Sequence, residues 1–204
     1  MSQRLLVATR SEHKLRELRA LLDLGPQVEL VAPDEVGVEG EPVEDAPTFQ
    51  GNALIKARYY ARRSGLPTLA DDSGLEVDAL GGGPGVRTRR FAGEQASDAD
   101  NNEKLLRELA EVPAEGRSAR YRCVLVLLEH SEAQPFSAFG TFEGRIAAGP
   151  RGEGGFGYDP IFEPATEPVG GRTVSQLSAD EKNAVSHRAI AARAMAHRLR
   201  PRRS

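Results

Sequence analysis

Arg4-Leu5-Leu6-Val7-Ala8-Thr9, RLLVAT, is followed after Arg10 by Ser11 to Leu24, SEHKLRELRALLDL, and the change of period between these segments decides the fold class. The first is a short apolar run of strand length. The second sets Leu15, Leu18, Leu21 and Leu22 at helical intervals and stops before Gly25-Pro26, two residues that end helices. A strand, a tight turn and a helix therefore open the chain, and the next apolar run, VELVAP at 28–33, is a second strand. After the acidic loop DEVGVEGEPVEDAP the pattern turns helical from about Thr48 to Arg63.

Further on, LPTLADD and GLEVDAL read as two strands around the turn-forming pair Ser73-Gly74. GGGPGVRTRRFAG is a loop, after which Ser97 or Asp98 caps a helix whose stripe is Leu105, Leu106 and Leu109. ARYRCVLVLLE and PFSAFGTFEGRIAA are long, β-branched or aromatic, and separated by a polar turn, as antiparallel partners are. SADEKNAVSHRAIAARAMAHRL is a final helix with Ser178 and Glu181 in capping-box spacing, and the basic tail 200–204 is a solvated end. Alternating strands and helices followed by a long antiparallel pair predict an α/β protein with a mixed central sheet and flanking helices, one domain over 1–204.

With 27 basic and 30 acidic residues in 204, the net charge is −3, so there is no general drive toward nucleic acid or an anionic membrane. Any anion must be held locally. The single cysteine, Cys123, lies in an apolar run, which excludes an internal disulfide and fits a reducing, cytoplasmic location. No stretch approaches the ~20 apolar residues of a membrane span, and the amino terminus lacks a signal-peptide core.

Several motifs carry chemistry. GEGGFG, Gly152 to Gly157, satisfies the spacing of a dinucleotide fingerprint, but YDPIFEP follows with Pro160 and Pro164 where that fingerprint needs a helix. It is read instead as a loop whose glycines let backbone approach a ligand. The turn ATRSEHK is the better phosphate candidate: the first N–H groups of a helix point at an anion, and Thr9, Ser11 and Lys14 add hydroxyls and a charge. It is not a Walker A loop.

Glu44, Asp45, Asp71 and Asp72 are carboxylates where loops meet elements, the oxygen donors that Mg²⁺ takes together with phosphate. Neighbouring strand residues face opposite ways, so one of Asp71 and Asp72 reaches a given metal unless the turn begins between them. The histidines His13, His130, His187 and His197 show no zinc-ligand spacing. On the final helix, at about 100° per residue, Lys182 lies ~140° from His187 and ~120° from Arg188, so a straight helix does not present them together.

Together the segments VATRSEHKLREL, FQGNALIKA, LADDSGLEVDALGGGPGVRTRRFAG, EGRIAAGPRGEGGFGYDPIF and SADEKNAVSHR resemble, in order and spacing, the inosine/xanthosine triphosphate pyrophosphatases that remove noncanonical purine nucleotides. The resemblance covers nearly the whole chain. It implies an inosine triphosphatase-like fold with two lobes around an active-site cleft, a homodimer, and Mg²⁺-dependent cleavage of dITP, ITP and XTP to the monophosphate and pyrophosphate. By position, Thr9, Arg10, Ser11, Glu12, His13 and Lys14 would hold phosphates; Glu44 and Asp72 would bind Mg²⁺, with Asp72 also activating water. Ser73, Phe156, Gly157, Tyr158, Asp159, Lys182, His187 and Arg188 would bind nucleotide and base, and Asp71 and Glu41 would stand behind the metal ligands.

The carbonyl at purine position 6 in hypoxanthine and xanthine would pair with donors such as Lys182, Arg188 or backbone N–H groups, donors that adenine's amine would oppose. Phe156 would stack on the ring. The first loop departs from the family's usual T-G-N-x-x-K, with Arg10 for the glycine and Ser11 for the asparagine. A nucleotide-sensing module without hydrolysis, or a related pyrophosphatase acting on pyrimidine or modified nucleotides, are the other readings.

Overall fold

The computed structural model describes residues 3–199, so the basic tail at 200–204 lies outside the described residues. Their elements, in order, are β1 (Gln3–Val7), α1 (Glu12–Leu22), β2 (Val28–Val31), α2 (Phe49–Ser64), β3 (Thr68–Val77), α3 (Asp98–Glu108), β4 (Ser118–Leu128), β5 (Phe136–Ile146), β6 (Phe162–Pro164), α4 (Ala179–Val185) and α5 (His187–Leu199). The strands make one sheet in the order β2-β1-β3-β4-β5-β6. β1 pairs in parallel with β2 and β3, in the registers Leu5↔Leu30 and Val7↔Leu69, whereas β5 and β6 are antiparallel with Ile146 opposite Phe162. The sheet is mixed, as the strand and helix pattern predicts. Each parallel partner is reached through a helix, which parallel neighbours require.

Caps start the helices where the sequence places them. The Thr48 hydroxyl accepts from the Gly51 N–H at 3.1 Å, and Ser97 and Ser178 each form a full capping box, with Asp100 and Glu181. The N-cap of α3 is thus Ser97.

Two expectations are corrected. LPTLADD and GLEVDAL form one continuous strand, β3, which runs through Ser73-Gly74 without turning. Turn propensity is a local preference, and Leu75 and Val77 beyond the pair are fully buried, so packing of the far half holds the strand straight. The final helix is broken: Ser186 is extended (φ −64, ψ 155), separating α4 from α5. No proline or glycine marks this break. Lys182 before it and Arg188 after it each go to a different buried carboxylate, described below, whereas a straight helix fixes them ~120° apart.

The chain divides into two compact units: the described residues of Met1–Asp72, Cys123–Gly140 and His187–Ser204, and the segments Ser73–Arg122 and Thr141–Ser186. In the first, Leu18 and Leu22 of α1 pack with Leu5, Val7, Leu69 and Leu125 of the strands and with Ala191, Ala192 and Met195 of α5. The second buries Leu75, Val77, Leu105, Leu109, Tyr121, Phe142, Ile146 and Phe162, with the Phe162 ring centroid 4.7 Å from that of Tyr121. Cys123 is a buried free thiol of the first core. Among the described residues no helix is long and apolar enough to cross a membrane.

Leu18 is fully buried in the middle of α1. Leu18→Ala keeps helix propensity and removes only packing, so denaturant titration should show a loss of about 2–5 kcal/mol with an unchanged slope. A loss below ~1 kcal/mol would mean that this helix face is not packed as described.

Candidate functional site

β3 delivers two adjacent carboxylates to its two faces. Asp71, fully buried, accepts from Lys14 Nζ at 2.5 Å, from Arg188 Nε at 2.9 Å and from the Cys123 thiol at 3.3 Å. Arg188 is itself buried, and its Nη1 also donates to Glu17 Oε2 at 2.5 Å. Burial alone would raise the Asp71 pKa, but the charges of Arg188 and Lys14 outweigh it and hold the carboxyl well below its ordinary range. Burial, reinforced by the Asp71 charge, pushes the Cys123 thiol up, so this cysteine is an inert donor.

Asp72 points to the opposite face, as strand alternation requires. Its Oδ1 lies 2.7 Å from Lys56 Nζ, and the same ammonium lies 2.7 Å from Glu44 Oε2. Burial raises the Asp72 pKa to about 6 against the opposing charges of Lys56 and Lys14, and Glu44 adds to the rise. For Lys56, burial is outweighed by the attraction of Asp72 and Glu44, and its pKa is raised.

The Lys56 ammonium therefore lies between one oxygen of Glu44 and one of Asp72, each at 2.7 Å. Among the described residues no group of three or more His, Cys, Asp or Glu side chains gathers at metal spacing. As hard oxygen donors, Glu44 and Asp72 would suit Mg²⁺, an ion usually held by one or two carboxylates together with waters and substrate phosphates.

The turn before α1 is ordered by its own hydroxyls. Ser11 is the N-cap, accepting from the Lys14 N–H at 3.4 Å, and Thr9 Oγ1 accepts from the Ser11 N–H at 3.1 Å. Glu12 and His13 are exposed on the first turn, with His13 Nδ1 3.1 Å from Arg16. Arg10 does not turn to that helix end. Its guanidinium donates to the carbonyls of Val38 and Gly40 at 2.8 and 2.7 Å.

In the second unit the glycine loop is organised by Asp159, which is buried. Its carboxylate accepts from the Tyr121 hydroxyl at 3.2 Å, the Phe156 N–H at 3.0 Å and Lys182 Nζ at 2.8 Å. Lys182 also lies 4.6 Å above the Phe156 ring centroid, within cation–π range. Gly155 (φ +76) has no room for a side chain, since a Cβ would sit 2.2 Å from Asp159 Oδ2. Asp98 accepts from the Gly157 N–H at 2.7 Å, and the Tyr158 hydroxyl donates to the Thr88 carbonyl at 2.8 Å. After the loop comes a short 3-10 turn, Asp159–Ile161, then β6, and not the helix that a dinucleotide fingerprint needs.

Of the residues singled out by sequence, Lys14, Asp71 and Arg188 meet in one buried cluster, and Glu44 and Asp72 meet through Lys56. Phe156, Asp159 and Lys182 form a third group. Arg188 is buried and ion-paired with Asp71 and Glu17, and Tyr158 and Asp159 are buried in the loop they belong to. His187 is buried at the start of α5, and Ser73 is half-buried on β3.

Lys56 is not among the residues that the sequence singles out, although it lies within the FQGNALIKA motif. Its signal was a charge on the buried stripe of a helix, between Phe49, Ala53, Ala57 and Tyr60. Glu17 carried a weaker signal of the same kind.

Removing one partner of a buried ion pair leaves the other uncompensated. Asp71→Asn, which strips Arg188 and Lys14 of their shared carboxylate, should cost about 3–5 kcal/mol in denaturant titration. A loss under ~1 kcal/mol would show that Glu17 alone satisfies Arg188.

The Ham1 family model matches residues 5–198. Among curated relatives, the dITP/XTP pyrophosphatase of Xanthomonas campestris pv. campestris (strain 8004) is 49% identical over 196 residues, covering 96% of either chain. That of Yersinia pseudotuberculosis serotype I (strain IP32953) is 48% identical over 200 residues, covering 97% of this chain and 98% of the relative. A solved Ham1 protein from Coxiella burnetii superposes with a TM-score of 0.87 at 39% identity, over 97% of this chain and 98% of its own. Family model, full-length identity and fold agree with the motif resemblance: this chain belongs to the Ham1 family.

Proposed function

We propose that this chain hydrolyses noncanonical purine nucleoside triphosphates, dITP, ITP and XTP, to the nucleoside monophosphate and pyrophosphate. The observation that carries the reading is the pair Glu44 and Asp72 closed on one cation, next along β3 to a carboxylate that holds Lys14. Relatives at near half identity over their whole length carry the matching name.

In this reading Thr9, Ser11 and the first N–H groups of α1 receive the phosphates, with Lys14 as the charge beside them. Glu44 and Asp72 would hold Mg²⁺, whose charge would neutralise the triphosphate and polarise the phosphoryl oxygen. Asp72 orients a water for attack on the α-phosphorus and takes its proton. The new bond is water oxygen to α-phosphorus, and the bond broken joins that phosphorus to the oxygen that leaves with pyrophosphate. Lys56 compensates the charge of the two carboxylates. Ser73 and His187 are the remaining groups assigned to the nucleotide.

Base choice is assigned to Phe156, the backbone of Gly157 and Lys182, with Asp159 and Tyr158 behind them. A donor set facing position 6 accepts the carbonyl of hypoxanthine or xanthine and rejects adenine's amine, which would leave buried donors unpaired. A cytoplasmic homodimer completes the proposal. A nucleotide pool is the natural place for this chemistry, and the absence of a general positive charge fits a small-molecule partner.

Product analysis with dITP, XTP, dATP and dCTP, with and without Mg²⁺, should yield pyrophosphate from the first two alone and only with metal. Orthophosphate as product, or preference for dCTP, would overturn the bond or the base assignment, and binding without cleavage would favour a sensing module. Asp72→Asn should lower turnover by about 10²–10⁴-fold with the denaturation midpoint not reduced, as loss of a general base does. Near-normal turnover would remove Asp72 from the mechanism.

A further inference from the structure

Arg10 stands where the family's first loop usually has glycine, and its side chain is about three-quarters buried. Nε donates to Asp34 Oδ1 at 3.0 Å and Nη2 to the Val38 carbonyl at 2.8 Å. Nη1 faces the Gly40 carbonyl at 2.7 Å, the Tyr60 hydroxyl at 3.1 Å and Glu41 Oε1 at 3.4 Å. One N–H at Nε, two at Nη1 and one at Nη2 therefore have acceptors in this region, which leaves little of the fork for a phosphate.

Three of these acceptors, Val38, Gly40 and Glu41, belong to a segment without helix or strand, Val38 to Pro47, whose carbonyls have no ladder to join. Side chains replace the ladder. Val38 and Gly40 are bonded by Arg10, Gly40 also faces the Tyr60 hydroxyl at 3.4 Å, and the Tyr59 hydroxyl donates to the Glu39 carbonyl at 3.2 Å. Further along, the Ala46 N–H donates to Asn52 Oδ1 at 2.9 Å. Gly40 has φ +73, and a Cβ there would lie 2.8 Å from the Tyr59 hydroxyl, so the loop is pressed onto α2. Asn52, Lys56, Tyr59 and Tyr60 recur at helical spacing on α2, and Lys56 binds Glu44 midway between the pinned ends.

We propose that Arg10 is a positioning residue for the metal site: by clamping Val38 to Glu41 from the β1–α1 turn, it fixes the approach to Glu44 and so sets how tightly Glu44 and Asp72 take a divalent cation. The proposal rests on the reading of those two residues as metal ligands. It ties the turn assigned to phosphates to the loop that carries a carboxylate. A flexible loop would have to be ordered each time the cation binds, and that entropy opposes binding.

The test uses the full chain without nucleotide, as wild type, Arg10→Ala, Arg10→Lys and Tyr60→Phe. Hydrogen exchange of amides 34–46 should quicken roughly tenfold or more in Arg10→Ala, by loss of charge-assisted bonds, with α3 and α5 unchanged. Arg10→Lys should recover little, because an ammonium cannot hold Asp34 and two carbonyls as a planar fork does. Tyr60→Phe, a variant that keeps its ring packing, should loosen the same amides to a smaller extent. Mn²⁺ titration followed by its electron paramagnetic resonance signal should give weaker binding in Arg10→Ala.

Unchanged exchange at 34–46, exchange raised evenly over both cores, or an unaltered Mn²⁺ affinity with a loosened loop would each overturn the proposal. None of these measurements uses a nucleotide. If the pyrophosphatase reading failed, product analysis would show it while the exchange and Mn²⁺ results stood.

Discussion

The first unit depends on the alternation of side chains at Asp71 and Asp72. Two adjacent negative charges in a strand go to opposite faces, and each face then needs a cation, because an uncompensated buried carboxylate is among the most expensive groups a protein can hold. Asp71 draws Lys14 from α1 and Arg188 from α5; Asp72 draws Lys56 from α2, which brings Glu44 with it. Three helices are thereby tied to one point on β3.

The two faces differ in kind, and the difference is physical. Asp71 is saturated by a guanidinium, an ammonium and a thiol, and its carboxyl is held well below the ordinary range by the charges around it. That is a structural anion. Asp72 shares the Lys56 ammonium with Glu44, and burial lifts its pKa to about 6 against the charges of Lys56 and Lys14. The proton-accepting role proposed for Asp72 calls for a raised pKa of this kind. The glycine loop of the second unit repeats the first arrangement around Asp159, where Tyr121, the Phe156 N–H and Lys182 converge on one buried carboxylate.

Arg10 shows how a departure from a family pattern is absorbed. A glycine at that position would remove the donors that the guanidinium supplies to the Val38 and Gly40 carbonyls, which no strand pairs. The same network tells why Gly40 and Tyr59 stand where they do.

The amino-acid sequence by itself determined the class and most of the elements of this protein, because hydrophobic period, caps and breakers are local. Leu15 to Leu22, Thr48, Ser97 with Asp100 and Ser178 with Glu181 all act within a few residues. It also carried the family motifs, and with them Lys14, Glu44 and Asp72. Tertiary structure alone decided that β3 runs on through Ser73-Gly74, that Ser186 divides the last helix, and that Arg188 and Asp159 are buried in ion pairs. Each of these turns on burial and ion pairing between residues far apart in the chain, such as Arg188 with Asp71 and Glu17, and such energies have no local signature. Lys56 lay between the two cases, visible as a charge on a buried helix face, and assigned only when Glu44 and Asp72 were found on either side of it.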